Sequence, residues 1–270
     1  MYFILIFDAD NTLWDTNSVF HEAHVAMLEV FETAQLLSNA RHQVEKVRAI
    51  DRALIQHFGR YEYGFKNLVT AIAHYYRYGV DPAVAAARAL EGKYKALNAT
   101  LQATIEMAYQ AHTDALEQIP PLFASVADLL VHLRAYRKVH PHVATLIFSE
   151  GHPDRLEKTL ISHQIRQHDY FDEIVIELKT DEAFQRIGEL GRQYLAVPYG
   201  HEVITIMIGD SMQRDIRLAN AAGFTTVYIP GSFEGRQLPQ TELEQPDFQI
   251  ESFVELPSIL ASLGLSLPGV

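Results

Sequence analysis

The chain has 270 residues, 48% of them hydrophobic, and a net charge of −12 that is spread along its length. It has no cysteine, which excludes disulfides, thiolate metal sites and a cysteine nucleophile; its acidic surface would repel a polyanion, so no nucleic-acid partner is expected. The longest apolar runs fall short of the roughly 20 residues of a membrane span, and no basic region precedes a cleavable apolar stretch, so the expectation is a cytoplasmic protein without membrane contact.

The first predicted element is a strand. Phe3-Ile4-Leu5-Ile6-Phe7 is continuously apolar, as in a parallel sheet covered on both faces, and it runs directly into Asp8 and Asp10. Burying an unpaired carboxylate costs several kcal/mol, so these groups need a metal, a cationic partner or water. Helical spacing follows over about 18–35, 40–58, 65–78, 82–96 and 98–113, with Asp81-Pro82 as a start signal, and predicts an all-helical insertion over 17–113. Pro120-Pro121 reads as a stiff hinge back into the core. Beyond it, helices (122–136, 153–165, 181–195, 214–222, 253–263) alternate with strands (143–148, 173–178, 203–208, 225–229, 248–250). That alternation predicts an α/β fold: a Rossmann-like, doubly wound parallel sheet formed by 1–16 and 114–270.

Strands of such a sheet deliver functional groups at their carboxyl ends. Besides Asp8 and Asp10, those ends carry Ser149-Glu150-Gly151, then Lys179, then Gly209-Asp210-Ser211 with Asp215. In the order D-x-D-x-T, Ser, Lys, GDS-x-x-x-D, the chain resembles the haloacid dehalogenase superfamily, most closely its phosphatase branch with a helical cap, which includes phosphoglycolate phosphatases and β-phosphoglucomutases. The likeness extends to Asp215–Pro230 and Pro246–Leu260 and leaves out about 17–113.

The resemblance implies phosphoryl transfer under a mobile cap. Asp8 is then the nucleophile, and Asp10 the general acid for the leaving alkoxide and the base for the incoming water. Dehalogenases of the superfamily lack a carboxylate at that second position, because halide leaves unprotonated. The crowded carboxylates call for Mg2+, with the Asp8 carboxylate, the Asp10 carbonyl, Asp210 and, directly or through water, Asp215 as ligands. Lys179 is expected to pair with Asp8 and the phosphoryl oxygens, Ser149 to donate its hydroxyl to them, and backbone amides at Ala9, Glu150 and Gly151 to add donors. Asn11 and Thr12 complete the phosphate loop: Asn11 stands where the family usually has glycine and tolerates a left-handed turn, and Thr12 fixes the loop through local hydrogen bonds.

The expected reaction is hydrolysis of a small phosphorylated metabolite, with phosphomutase, haloacid dehalogenase and noncatalytic scaffold as alternatives; monomer and homodimer stay open. Lys158 competes with Lys179 but falls inside a predicted helix. Trp14 is read as packing at the hinge, His21 and His24 as surface residues of a helix, and Tyr75, Tyr76 and Tyr78 as packing of the helical bundle. The loop Gly59–Gly64 is a candidate specificity element. Gly151 to Lys158 lacks the second glycine and Lys-Ser/Thr pair of a nucleotide-binding loop, which argues against ATP.

Overall fold

The amino-terminal apolar run forms β1 (Tyr2–Phe7). Its odd-numbered residues Phe3, Leu5 and Phe7 share a core with Leu129, Leu130 and Leu133, and its even-numbered Ile4 and Ile6 share another with Phe184 and Ile187. With both faces covered, the positions from Phe3 to Phe7 are all buried and all apolar. The computed structural model describes residues 1–58, 64–231 and 236–267.

The other strands are β2 (Val143–Ser149), β3 (Glu173–Ile176), β4 (Val203–Gly209), β5 (Thr225–Tyr228) and β6 (Phe248–Gln249). All pair in parallel, in the order β3-β2-β1-β4-β5-β6. The chain builds outward from β1 on one side through β2 and β3, then returns to its other side at β4. The carboxyl end of β1 is therefore the switch point, where an open sheet of this kind forms its crevice.

Two compact units result, Met1–Asn17 with Ile119–Val270, and Ser18–Gln118. The helical unit consists of α1 (Thr16–Thr33), which begins at the end of the α/β unit, then α2 (Val44–Phe58), α3 (Phe65–Tyr78), α4 (Pro82–Leu90) and α5 (Ala99–Leu116). Asp81 caps α4 by accepting the Val84 N–H at 3.0 Å with Pro82 at the first helical position, and Asn98 caps α5 through the Leu101 N–H at 2.9 Å. The expected helix over 82–96 is broken after Leu90 by the left-handed Gly92, φ 70, and its second half is a short 3-10 turn, Lys93–Ala96. Similarly, Ala40–Gln43 is a 3-10 turn that precedes α2. Ala85, Ala86 and Ala89 give α4 a small-residue face within the unit's apolar core, alongside Val47, Ile50, Leu68 and Ile72.

In the α/β unit the sheet is flanked by α6 (Val126–Val139), α7 (Pro153–Ser162), α8 (Gln167–Tyr170), α9 (Asp181–Tyr194), α10 (Arg217–Ala221) and α11 (Leu256–Ser262). Differences from expectation have local causes. The short α8 replaces an expected connection, and β3 ends at Ile176 rather than Leu178: the Glu177 N–H makes the last ladder bond, to Ser149 O, and the Lys179 N–H turns instead to the Glu150 carboxylate. Leu178 is thereby turned out, 73% exposed. The helix expected from Arg214 begins instead as a π-helical turn, Met212–Ile216, in which the Ile216 N–H reaches back to Ser211 O at 3.1 Å. Pro120 and Pro121 are tied into the unit, their carbonyls accepting from His163 Nε2 at 2.8 Å and from the Asp15 N–H at 2.8 Å.

Candidate active site

Three strand ends bring the charged motif residues together. Asp8 follows β1, Asp210 follows β4, and the wide π turn swings Asp215 back over Gly209, whose missing side chain leaves the only room for it: a Cβ there would collide with the Asp215 carboxylate. One carboxylate oxygen each from Asp8, Asp210 and Asp215 lie within 4.8 Å of one another, and all three residues are buried. Lys179, carried past β3, places Nζ 2.5 Å from Asp8 Oδ1 and 2.6 Å from Asp215 Oδ1, with the Phe148 ring on its apolar side. Exposed Lys158 lies on α7, so Lys179 is the lysine of this cluster.

The electrostatics follow from three carboxylates and one ammonium sharing a dry space. Burial raises the Asp8 carboxyl to about 7 against the pull of Lys179, and the Asp215 and Asp10 charges push the same way as burial. Asp210 is raised well above the usual carboxylate range by burial, then by Asp8 and Asp215. Burial alone would lower Lys179, but Asp215 and Asp8 outweigh it and hold the ammonium above its ordinary value. Asp215 spends both oxygens on the chain, Oδ1 on Lys179 and Oδ2 on the Ser211 N–H at 2.9 Å. Asp8 Oδ2, by contrast, is buried with no hydrogen-bond partner among the described residues. The cluster of oxygens could hold a cation, and Asp8 keeps Oδ2 free of every donor among the described residues.

Asp10, half-buried beside this cluster, is held on one side. Its Oδ1 accepts from the Trp14 indole Nε1–H at 3.1 Å and from the Thr16 hydroxyl at 2.5 Å. Its Oδ2 lies where a side chain on Gly151 would stand, 2.6 Å from the position of a Cβ there. Ser149 is buried at the end of β2, its Oγ accepting the Gly151 N–H at 3.0 Å. The Gly151 amide expected to serve as a phosphate donor is thus already engaged. Glu150 turns its carboxylate to the Lys179 N–H at 2.8 Å and to the Arg214 guanidinium, tying together the loops after β2, β3 and β4.

Asn11 adopts φ 62, the left-handed turn expected of it, and its Oδ1 accepts the Asn17 N–H at 2.8 Å. Thr12 departs from expectation: its hydroxyl is buried without a partner among the described residues, and only its backbone N–H closes the loop, onto Ala9 O. Trp14, read as packing at the hinge, belongs to the apolar core of the α/β unit and also donates to Asp10. Nothing in the residue pattern signals that bond, the Thr16 bond or the Glu150–Arg214 pair, since side-chain direction has no period to read. His24 is a second correction: it is buried and stacked on His112 at 5.5 Å, not at the surface. Tyr75 and Tyr76 pack on the helical core, whereas Tyr78 is half exposed. Residues 59–63 of the proposed specificity loop lie outside the described residues. Two open hollows, of about 410 and 390 Å³, border α9 and include none of these site residues.

A model of the haloacid dehalogenase-like hydrolase family matches residues 4–223. No curated protein sequence matches the chain. Among solved structures, YfnB from Bacillus subtilis, described as a HAD-hydrolase bound to magnesium, is similar over 96% of this chain and 99% of that one, at 20% identity and a TM-score of 0.58. A haloacid dehalogenase-like family hydrolase from Xanthomonas campestris shares 17% identity over 97% and 96% of the two chains, with a TM-score of 0.60. The 2-haloacid dehalogenase of Pseudomonas syringae shares 19% over 97% and 100%, with a TM-score of 0.53. Likeness at this level establishes a common fold and leaves the reaction to the side chains. With its family model running from β1 to just past α10, the chain belongs to the haloacid dehalogenase-like hydrolases.

Proposed function

We propose that this protein is a magnesium-dependent phosphomonoester hydrolase that acts on a small phosphorylated metabolite through an aspartyl-phosphate on Asp8. The observation that carries the reading is the asymmetry of the Asp8 carboxylate, which shares its cluster with Asp210: Oδ1 is held by Lys179, and Oδ2 is buried with no hydrogen-bond partner among the described residues. A nucleophile for in-line phosphoryl transfer needs one oxygen fixed and the other free.

The donor set suits magnesium, being all oxygen and strongly anionic. Asp8 and Asp210 would hold the ion, with Asp215 adding charge from behind because its own oxygens are engaged. Bound there, the ion supplies positive charge that relieves the carboxylate crowding and offsets that of the phosphoryl group. Asp8 Oδ2 attacks phosphorus while the bond to the substrate oxygen breaks. Lys179 keeps Asp8 aligned and neutralises charge on the transferring group, and the Ser149 hydroxyl donates to it. Asp10 gives its proton to the departing alkoxide, then takes one from the water that releases inorganic phosphate and restores Asp8. Such proton transfer is worth about 10² to 10⁴ in rate. A departing halide needs no proton, so an Asp10 held by two donors favours phosphate esters over halo-acids.

A panel of phosphorylated metabolites, assayed with and without magnesium and with Asp8→Asn as control, tests the reading. Phosphate release that requires both magnesium and Asp8 is expected. Turnover of a halo-acid without magnesium, or phosphate release undiminished in Asp8→Asn, would overturn it.

A further inference from the structure

The geometry points to Trp14 as a positioning residue: its indole N–H, together with the Thr16 hydroxyl, ties down Oδ1 of Asp10 so that Oδ2 alone faces the reacting group and exchanges the proton. The inference rests on the hydrolase reading above and assigns a part to a residue that reading does not use.

Both donors to the Asp10 carboxylate fall on the same oxygen, the indole at 3.1 Å and the hydroxyl at 2.5 Å. The other oxygen lies against the bare backbone of Gly151, in the loop that carries Ser149. An oxygen that already accepts two hydrogen bonds is poorly placed to hold a proton, so the transferable one resides on Oδ2. The indole is a rigid support for this purpose. Trp14 is 2% exposed, its ring belongs to the core that contains Phe7, Leu13 and Val126, and its carbonyl accepts the Asn11 N–H at 2.8 Å. A buried tryptophan whose polar end meets a carboxylate fixes that carboxylate's torsion at little entropic cost, since the ring itself cannot turn. In the first step the Oδ2–H bond breaks as the proton passes to the substrate oxygen, which leaves phosphorus with its bonding electron pair. In the second, Oδ2 takes a proton from the attacking water.

Leaving groups separate positioning from packing. A nitrophenolate departs without a proton, whereas an alkoxide requires one, so Trp14→Phe in the magnesium-loaded protein should lower kcat/KM for an alkyl phosphate by about 10-fold and for p-nitrophenyl phosphate by less than about 2-fold. Trp14 is the only tryptophan. Benzothienylalanine, which has the same ring shape with sulfur in place of N–H, can therefore replace it uniformly, and should give the same split if Trp14→Phe fails to fold. The single indole N–H resonance of 15N-labelled protein should also shift in Asp10→Asn. Equal losses on both esters, no loss on either, or an indole resonance indifferent to Asp10→Asn would overturn the role of Trp14. If the unaltered protein turns over neither ester, the hydrolase reading fails and this inference with it, an outcome distinct from turnover without the split.

Discussion

In the α/β unit, three carboxylates and an ammonium lie buried within reach of one another; in the helical unit the buried ionisable groups among the described residues are the imidazoles of His24, His74 and His112. His112 stacks on His24 and packs against Phe65 at 5.0 Å, and His74 stacks on Tyr78. The same physical cause, loss of water, acts on both sets with opposite outcomes. Burial raises Asp8 and Asp210 because it penalises their charge, and neighbouring carboxylates add to it, Asp215 and Asp10 at Asp8 and Asp8 and Asp215 at Asp210. It lowers His24 to about 3 and His112 to about 4, so the helical unit simply keeps them neutral. A neutral imidazole can be absorbed into a core, whereas clustered charge is retained at a cost in stability and calls for a function.

The comparison can be broken first by removing the nucleophile. Asp8→Asn should reduce turnover by about 10⁴-fold or more while raising metal-free stability near pH 8, because one member of the crowded cluster becomes neutral. Steady-state assays and urea denaturation on the same samples check both halves. Lys179→Met should act in the opposite direction on stability. It strands Asp8 and Asp215 without their cation and should cost about 3–5 kcal/mol in urea denaturation, part of which magnesium should restore.

Acidity sharpens the contrast between the units. Asp8 rises from 3.8 to about 7, so the stability it contributes to the metal-free α/β unit is full below pH 4 and is lost as the pH climbs through 7. His24 and His112 fall from 6.5, so their contribution is full above that pH and is lost as the pH drops through about 4. Hydrogen exchange resolved by residue should therefore show opposite slopes in the two units, each about 1.4 kcal/mol per pH unit for every group titrating. Magnesium should flatten the α/β slope alone, and His112→Phe should reduce the helical one. Slopes of the same sign in both units would refute the contrast.

The smallest perturbation is one methyl group. In Gly151→Ala the new Cβ would sit 2.6 Å from Asp10 Oδ2 and 3.1 Å from Ser149 Oγ. It should lower kcat by about 10-fold through displaced catalytic groups while leaving the melting temperature within a few degrees.

What could be read beforehand divides along a physical line. The parallel sheet was legible because β1, with both faces covered, leaves a continuous apolar run, and because each charged motif stands at a strand end. The convergence of Asp8, Asp210, Asp215 and Lys179 follows from motif order together with that topology. The π turn at Met212–Ile216 was hidden, since one additional residue in a turn leaves the apolar spacing almost unchanged. The end of β3 was hidden as well: Glu177 and Leu178 continue a plausible strand, and it is the carboxylate of distant Glu150 that takes the Lys179 N–H away from the ladder. His24 looked like a surface residue because its stacking partner, His112, comes from a helix far along the chain.

The central claim is that Asp8 offers a free carboxylate oxygen to phosphorus within a magnesium site. Fluorine NMR of the protein with beryllium fluoride, a phosphoryl mimic that bonds to a nucleophilic carboxylate, tests it without knowledge of the substrate. The account predicts bound-fluoride resonances that require magnesium and disappear in Asp8→Asn. Resonances that persist in Asp8→Asn, or none at all in the magnesium-loaded protein, would contradict it.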